Sequence, residues 1–368
     1  MTNLNVRHST RSDIQGLRGI AVILVIIGHV YPSVLPGGFI GVDVFFVISG
    51  YVITQQLKSL WVTDRMKTIT IFYTRRILRI LPSALLVVLV SVLSTRTFLG
   101  PVFGLQASAD GFWSTVFLAN FHFAALSQDY FASGAPQSVL QHFWSLSIEE
   151  QFYLVWPLTF ILSVKFLSSQ NHIVLFVGTI FLVSFIFCIA NLYLFDGQNF
   201  FSTAARAWQL LFGCLLGLVN PAPRGLLIFR LTSLVTLFLS AALLNQTMNW
   251  PSLSSFIVVI AALVLCYPIG NQRNRLLDSR PLRYIGDVSF LLYLWHWPIL
   301  TISRNYFQVF KFEHTILVLS LTLLISAIMH KTFEQPIRRN QRLIANPQIT
   351  IFGGIILTLI TAVTMRSL

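Results

Sequence analysis

Arg18 and His29 are the first residues along the chain whose types and spacing suit chemistry, and both fall in one apolar run, Ile14 to Tyr31. Eleven residues make close to three helical turns, so the two side chains project from one face, about 16 Å apart along the axis. A charge near the centre of a bilayer costs about 2.5–3.5 kcal/mol on insertion scales. A cation and an imidazole kept on one stripe therefore read as a functional pair, with the imidazole as general base. The alternative is a structural pair bonded to backbone carbonyls. Asp43 stands just inside the next apolar run, in Gly41-Val42-Asp43-Val44-Phe45-Phe46. If the first two spans are neighbours, its carboxylate reaches His29, fixes the imidazole tautomer and raises its basicity. It is equally a counter-ion for a buried arginine.

Arg75, Arg76 and Arg79 stand at the start of the third apolar run, before Pro82. Arg76 and Arg79 are one turn apart, and stacked guanidinium forks suit a phosphate-bearing ligand. The plainer reading is charge that anchors a span. Glu149 and Glu150 are expected at the outer end of the fourth span. Neighbouring helical positions diverge by about 100°, so only one of them faces the interior. Acid–base work, acceptance of sugar hydroxyls or pairing with Arg206 are the functional readings; helix N-terminal charge is the bland one. Arg206, Trp208 and Gln209 open the sixth span. Tyr293, His296 and Trp297 lie together before Pro298. The tryptophans read as an interfacial belt, Pro298 as a kink and His296 as a structural hydrogen-bond donor.

These residues need a framework of helices. Hydrophobic residues make up 55% of the chain and charged residues 10%, against about a quarter charged in soluble domains. The fold class is therefore all-α, a polytopic transmembrane bundle. Spans are predicted over 14–31, 38–57, 77–97, 150–166, 172–194, 204–220, 225–245, 252–270, 285–303, 315–333 and 349–365. The stretch 109–126 carries Asp110, Asn120 and His122 and is ambiguous by itself. Loop charge decides its treatment. The loops 58–76 (Lys58, Arg65, Lys67, Arg75, Arg76), 221–224 (Arg224), 271–283 (Arg273, Arg275, Arg280, Arg283) and 334–343 (Arg338, Arg339, Arg342) are basic. They share a side only if 109–126 is a re-entrant or surface helix. This parity gives a ten-helix core with one more helix appended, the N-terminus in the cytoplasm and the C-terminus outside.

A net charge of +13 would suggest nucleic acid in a soluble protein. In short loops between spans it reads as membrane topology, and no nucleic-acid partner is expected. Cys188, Cys214 and Cys266 sit in apolar runs, without disulfide or metal spacing, as small packing residues. The first apolar run is too long for a signal-peptide core. Phosphate-cradling Gly-x-x-x-x-Gly-Lys, His-Glu-x-x-His and Gly-x-Ser-x-Gly patterns are missing, which disfavours ATP-driven transport, zinc hydrolysis and serine-hydrolase chemistry.

Six ordered stretches resemble the acyltransferase-3 family of bacterial inner-membrane O-acyltransferases. They are 13–21 with His29, 37–51, 72–82, 142–153, 206–210 and 293–298, and the likeness runs from Asp13 to Pro336. The resemblance implies a membrane domain over 1–336, followed by a basic cytoplasmic linker over 337–348 and an extra transmembrane helix over 349–368. It implies cytoplasmic acyl-CoA, most often acetyl-CoA, as co-substrate, with no bound cofactor or metal. The acceptor is then a hydroxyl of a surface glycan: lipopolysaccharide O-antigen, exopolysaccharide or peptidoglycan. Arg18 and His29 match the family's Arg-x(10)-His element, and Arg76 and Arg79 match its Arg-x-x-Arg element, linked to donor binding. On this reading His29 is the base, Arg18 or Asp43 orients the site, and Ser49 is a weaker candidate for an acyl-serine relay. Glu149 and Glu150 are further catalytic candidates, and Arg206, Tyr293 and His296 are acceptor-site or structural residues. Many relatives continue into an extracytoplasmic SGNH-type domain; this chain is expected to be either a stand-alone form, served by a separate SGNH-type partner, or a truncated version of the fused one. The rival reading is a transporter of a sugar or lipid-linked intermediate, for which inverted repeats would count; the sequence carries no evident repeat.

Overall fold

The structure is a computed structural model and describes residues 11–60, 65–126, 137–167, 169–194, 199–219, 227–245, 250–268, 277–307 and 309–368, with backbone alone at 60 and 65–68. Fifteen α-helices follow one another among the described residues. They are α1 (Ser12–Val30), α2 (Ile40–Leu60), α3 (Arg65–Leu99), α4 (Pro101–Thr115), α5 (Ala119–Ala125), α6 (Phe143–Phe166), α7 (Gln170–Leu194) and α8 (Thr203–Val219). Then come α9 (Leu227–Leu243), α10 (Leu253–Cys266), α11 (Arg280–Tyr306), α12 (Phe312–Met329), α13 (Gln335–Arg338), α14 (Gln341–Ala345) and α15 (Pro347–Ser367). A single π turn, His330–Glu334, joins α12 to α13. No strand occurs among the described residues.

α1, α2, α3, α7, α11, α12 and α15 are long and apolar enough to cross a bilayer, and α8, α9 and α10 are shorter apolar helices. The chain is a multi-pass membrane protein and an all-α bundle. Its polarity is that of a body solvated by lipid. Large apolar side chains such as Leu175, Val363 and Phe352 are exposed, whereas Asp43, Arg206 and Arg230 are buried. α1, α2 and α11 are mostly enclosed, and α7, α12 and α15 lie at the periphery.

Close helix crossings build the centre. α1 packs on α11, and α2 on α8. A Cβ on Gly286 of α11 would lie 1.8 Å from the Gln15 carbonyl, and one on Gly50 of α2 would lie 1.9 Å from the Leu210 carbonyl. Backbones this near leave no room for any side chain, the packing device expected where lipid replaces water as solvent.

Three expectations about the elements change. The third span is longer than its apolar run and begins at Arg65. Arg76 and Arg79 therefore stand about 17 and 21 Å along α3 rather than at its mouth. The fourth helix starts at Phe143, which places Glu149 and Glu150 nearly two turns inside it. The 109–126 stretch, expected as one re-entrant or surface helix, is instead split between α4 and α5, with Asp110 against His122 at 2.8 Å. In addition, α15 is seated rather than merely appended. Gly354 lies against Ile77 and Leu81, and Met365 lies against Gly111 and Val92. The stretch 334–343, expected as a loop, is largely helical. Arg224, Arg273 and Arg275 and the side chains of Arg65 and Lys67 lie outside the described residues. Lys58, Arg338 and Arg339 line one cavity with Arg11, so their segments share the end of the bundle that carries α1's first turn.

Candidate active site

A cavity of about 970 Å³ opens at that basic end. Seven cationic side chains line it, against three carboxylates: Arg11, Arg18, Lys58, Arg76, Arg79, Arg338 and Arg339 against Glu149, Asp287 and Glu334. Some of this charge is already engaged. Arg11 binds Asp13 at 2.7 Å, Lys58 donates to the Gly217 and Leu218 carbonyls, and Glu334 takes His330 at 2.8 Å. Others converge without neutralising one another: Arg18, Arg76 and Arg338 all act on Arg79 as like charges. Guanidiniums from α1, α3 and α13 thus gather at one cavity, an arrangement with the charge to hold an anionic group. Deeper in, Glu149 accepts hydrogen bonds from Ser49 and Tyr153, and the Arg76 guanidinium lies 4.0 Å over the Tyr153 ring.

Phe45 and Leu146 also line this cavity. Phe45 meets the Tyr293 ring at 6.4 Å, and Tyr293 in turn neighbours His296 at 5.4 Å. Beyond this aromatic pair is a cluster of imidazoles. His29 Nδ1 lies 3.0 Å from His296 Nε2, with the rings stacked 5.2 Å apart and 7° from parallel. His142 stands edge-on to His296 at 5.8 Å. Local backbone chemistry places these rings. Pro298 has no N–H, so the Leu294 carbonyl four residues earlier loses its helical donor; His142 Nε2 supplies one at 3.1 Å. The Tyr293 hydroxyl donates to the His142 carbonyl at 3.0 Å and pairs with Ser145 Oγ at 2.5 Å. Arg304 donates to the last carbonyls of α1, those of His29 and Val30, at 2.9 and 3.0 Å, as a cation at a helix C-terminus should.

The sequence pattern of the family described as "Acyltransferase domain" matches residues 11–331. The chain belongs to this acyltransferase family. It is similar to the putative peptidoglycan O-acetyltransferase YrhL of Bacillus subtilis, with 33% identity over 358 residues, 90% of this chain and 55% of that protein. The peptidoglycan O-acetyltransferase OatA of Listeria monocytogenes is 31% identical over 89% of this chain and 56% of its own length. The O-acetyltransferase OatA of Staphylococcus aureus is 31% identical over 89% and 57%. The chain thus spans about half the length of these curated relatives. No solved structure matches it.

Within this member of the family, the predicted residues divide between two places. Arg18, Arg76, Arg79 and Glu149 meet in the cavity. His29, His296 and Tyr293 meet behind it. Arg18 and His29 share a helix but not a chamber, because the cavity ends before His29. Glu150 does not line the cavity, and its Oε1 is buried without a hydrogen-bond partner among the described residues, although Arg76 and Arg79 act on it as opposite charges.

Asp43 does not orient His29. On α2 it faces α8 and the segment entering α10, and accepts from Arg206 Nη1 at 2.9 Å, Gln209 Nε2 at 2.5 Å and Trp250 Nε1 at 3.1 Å. The counter-ion reading holds, and Arg206 is therefore unavailable to Glu149 or Glu150. Arg206 is further held between Trp144 and Phe200, at 5.0 and 4.8 Å. Trp208, Trp295 and Trp297 are buried rather than interfacial; Trp297 donates to the Ser138 carbonyl at 2.9 Å. His296 is no lone donor but the partner of His29. Sequence reasoning passed over His142, Tyr153, Arg338 and Arg339. His142 and Tyr153 lie inside a matched stretch, so a signal existed. Arg338 and Arg339 looked like linker charge, and only the turn at His330–Glu334 brings them over the cavity.

Proposed function

We propose that this chain is a membrane O-acetyltransferase that moves an acetyl group from acyl-CoA to a hydroxyl of peptidoglycan or a related envelope glycan. The observation that carries the reading is the cationic cavity, whose converging Arg18, Arg79 and Arg338 suit the several phosphates of a coenzyme A thioester. The names of the relatives support the acetyl group and the glycan. The basic end faces the cytoplasm of a bacterial inner membrane, with the first turn of α1 on that side, by the positive-inside rule; eleven crossings then place the C-terminus outside.

The phosphates bind among the arginines and the pantetheine arm runs toward Phe45 and Tyr293. These rings part to bring the thioester to His29. Neutral His29 takes the proton of the acceptor hydroxyl, the oxygen attacks the acyl carbon, the C–S bond breaks, and the departing thiolate takes the proton from His29. Glu149 holds Ser49 and Tyr153 along the donor path. An extracytoplasmic SGNH-type transferase, on this polypeptide or on another, is proposed for final delivery.

The test is consumption of radiolabelled acetyl-CoA by the purified chain in proteoliposomes supplied with glycan acceptor. Turnover is expected in the wild type and lost in His29→Ala. Wild-type turnover in His29→Ala, with a normal melting profile, would remove the histidine from the mechanism.

A further inference from the structure

The hydrogen bonds around His296 determine where the protons of both rings sit. His296 Nδ1 faces the Tyr293 carbonyl at 2.6 Å and the Leu292 carbonyl at 3.2 Å. Carbonyl oxygens only accept, so Nδ1 of His296 carries a proton. A neutral imidazole has one such proton, and Nε2 of His296 is then a lone pair. That lone pair faces His29 Nδ1 at 3.0 Å. Two lone pairs repel at this distance, so His29 Nδ1 must be the donor. The remaining lone pair of His29 is then on Nε2.

We propose that His296 is a positioning residue, which holds His29 in the Nδ1–H tautomer and so makes Nε2 the basic atom. This rests on the acetyl-transfer reading above. The in-line geometry also restrains the ring, because a nearly parallel pair bonded edge to edge holds His29 Nδ1 toward His296. The groups acting on His29 are His296 and Arg304 of α11, and His142, ahead of α6, stands beside His296. When Nε2 takes the hydroxyl proton, His29 becomes an imidazolium and its Nδ1–H becomes a stronger donor. The lone pair of His296 then stabilises the charge as it develops. The proton passes from Nε2 to the coenzyme A thiolate, and His29 returns to its starting tautomer with all atoms accounted for.

The role is the one a carboxylate plays behind a catalytic histidine, performed by a neutral ring. A neutral orienter avoids burying an anion in lipid and stabilises the imidazolium less strongly. His296→Leu removes the acceptor; His296→Gln offers an amide oxygen near the place of Nε2. In proteoliposomes, His296→Leu is expected to lower kcat by about 10²-fold, within the range for acid–base contributions, with KM for acetyl-CoA unchanged. Its acid limb in the kcat–pH profile should move to lower pH, because loss of the acceptor disfavours protonated His29. His296→Gln should restore kcat to within a few-fold of wild type.

Equal loss in both variants, with an unmoved acid limb, would overturn the proposal and leave His296 as packing. Nitrogen NMR of the histidine-labelled wild-type chain, assigned with His29→Gln, gives a readout independent of the variants' folding. A pyrrole-type Nδ1 on His29 is expected, and a pyridine-type Nδ1 overturns the assignment. A wild type that consumes no acetyl-CoA overturns the transferase reading alone, since the ring spectrum needs no turnover.

Discussion

Asp43→Ala separates a structural aspartate from a catalytic one. Asp43 and Arg206 are both almost fully buried, and the carboxylate gathers three donors from α8 and the segment before α10. Its removal leaves a guanidinium with no counter-charge between Trp144 and Phe200. Breaking a buried pair from one side costs about 3–5 kcal/mol, a large part of the roughly 5–15 kcal/mol that holds a typical domain. The loss comes from the stranded cation, so neutralising it should reverse most of the damage. Asp43→Leu with Arg206→Met is expected to melt several degrees above Asp43→Ala in detergent. Acetyl transfer per folded molecule should stay within a few-fold of wild type in whichever variant folds, because neither residue touches His29 or the cavity. A single variant that melts like wild type would refute the reasoning. So would a double variant no better than the single, or a kcat loss of about 10²-fold at unchanged melting temperature.

The other expectations follow from the same geometry. Arg79→Gln with Arg338→Gln should raise KM for acetyl-CoA by about 10–100-fold, the loss of one or two charge-assisted contacts, yet hardly change kcat/KM for a short acetyl thioester without phosphates; equal effects on both donors would leave these arginines as topology anchors. Gly50→Leu and Gly286→Leu should yield little folded protein in fluorescence-detected size exclusion, because the added side chain meets backbone rather than a movable chain end; wild-type profiles would refute the close crossings. Tyr293→Phe removes the bonds to Ser145 and the His142 carbonyl, each worth about 1 kcal/mol net. It should lower the melting temperature modestly and loosen the barrier to the cavity, measured as faster acceptor-independent hydrolysis of acetyl-CoA.

The order of the spans was legible because lipid imposes a blunt rule, and long apolar runs separated by basic loops obey it. Arg18, Arg76 and Arg79 were legible because a guanidinium inside such a run is costly enough to need a purpose. The partner of each buried group was not legible. For His29 chain proximity suggested Asp43, across a short connection, whereas its partner in the structure is His296, 267 positions away. Two packed helices still present different faces, and α1 turns His29 toward α11 while α2 turns Asp43 toward α8. Helix ends were misjudged where polar residues continue a helix beyond its apolar run, as at Arg65 and Phe143. Both errors moved charged residues along the axis: Arg76 and Arg79 went deeper, and Glu149 joined the basic cavity.

The separation of the two chambers is itself a functional argument. An acyltransferase working across a membrane must let a thioester approach a base without leaving an aqueous pore. Phe45 and Leu146 line the basic cavity and His29 does not, and the imidazoles lie on the far side of Tyr293, which neighbours both Phe45 and His296. On the proposed function, the Phe45 and Tyr293 rings across this step keep water from His29 while no donor is bound, which limits both ion leak and hydrolysis of the thioester. Tyr293 suits this place better than phenylalanine because its hydroxyl ties the ring to Ser145 and the His142 carbonyl. Those bonds also tie the barrier to the stretch that carries Glu149. On the proposed function, a donor that engages Glu149 or its partners Ser49 and Tyr153 acts one helical turn from Ser145, which would couple donor binding to the opening of Tyr293 through α6. Coupling of this kind lets the barrier open when a thioester is present to fill the gap.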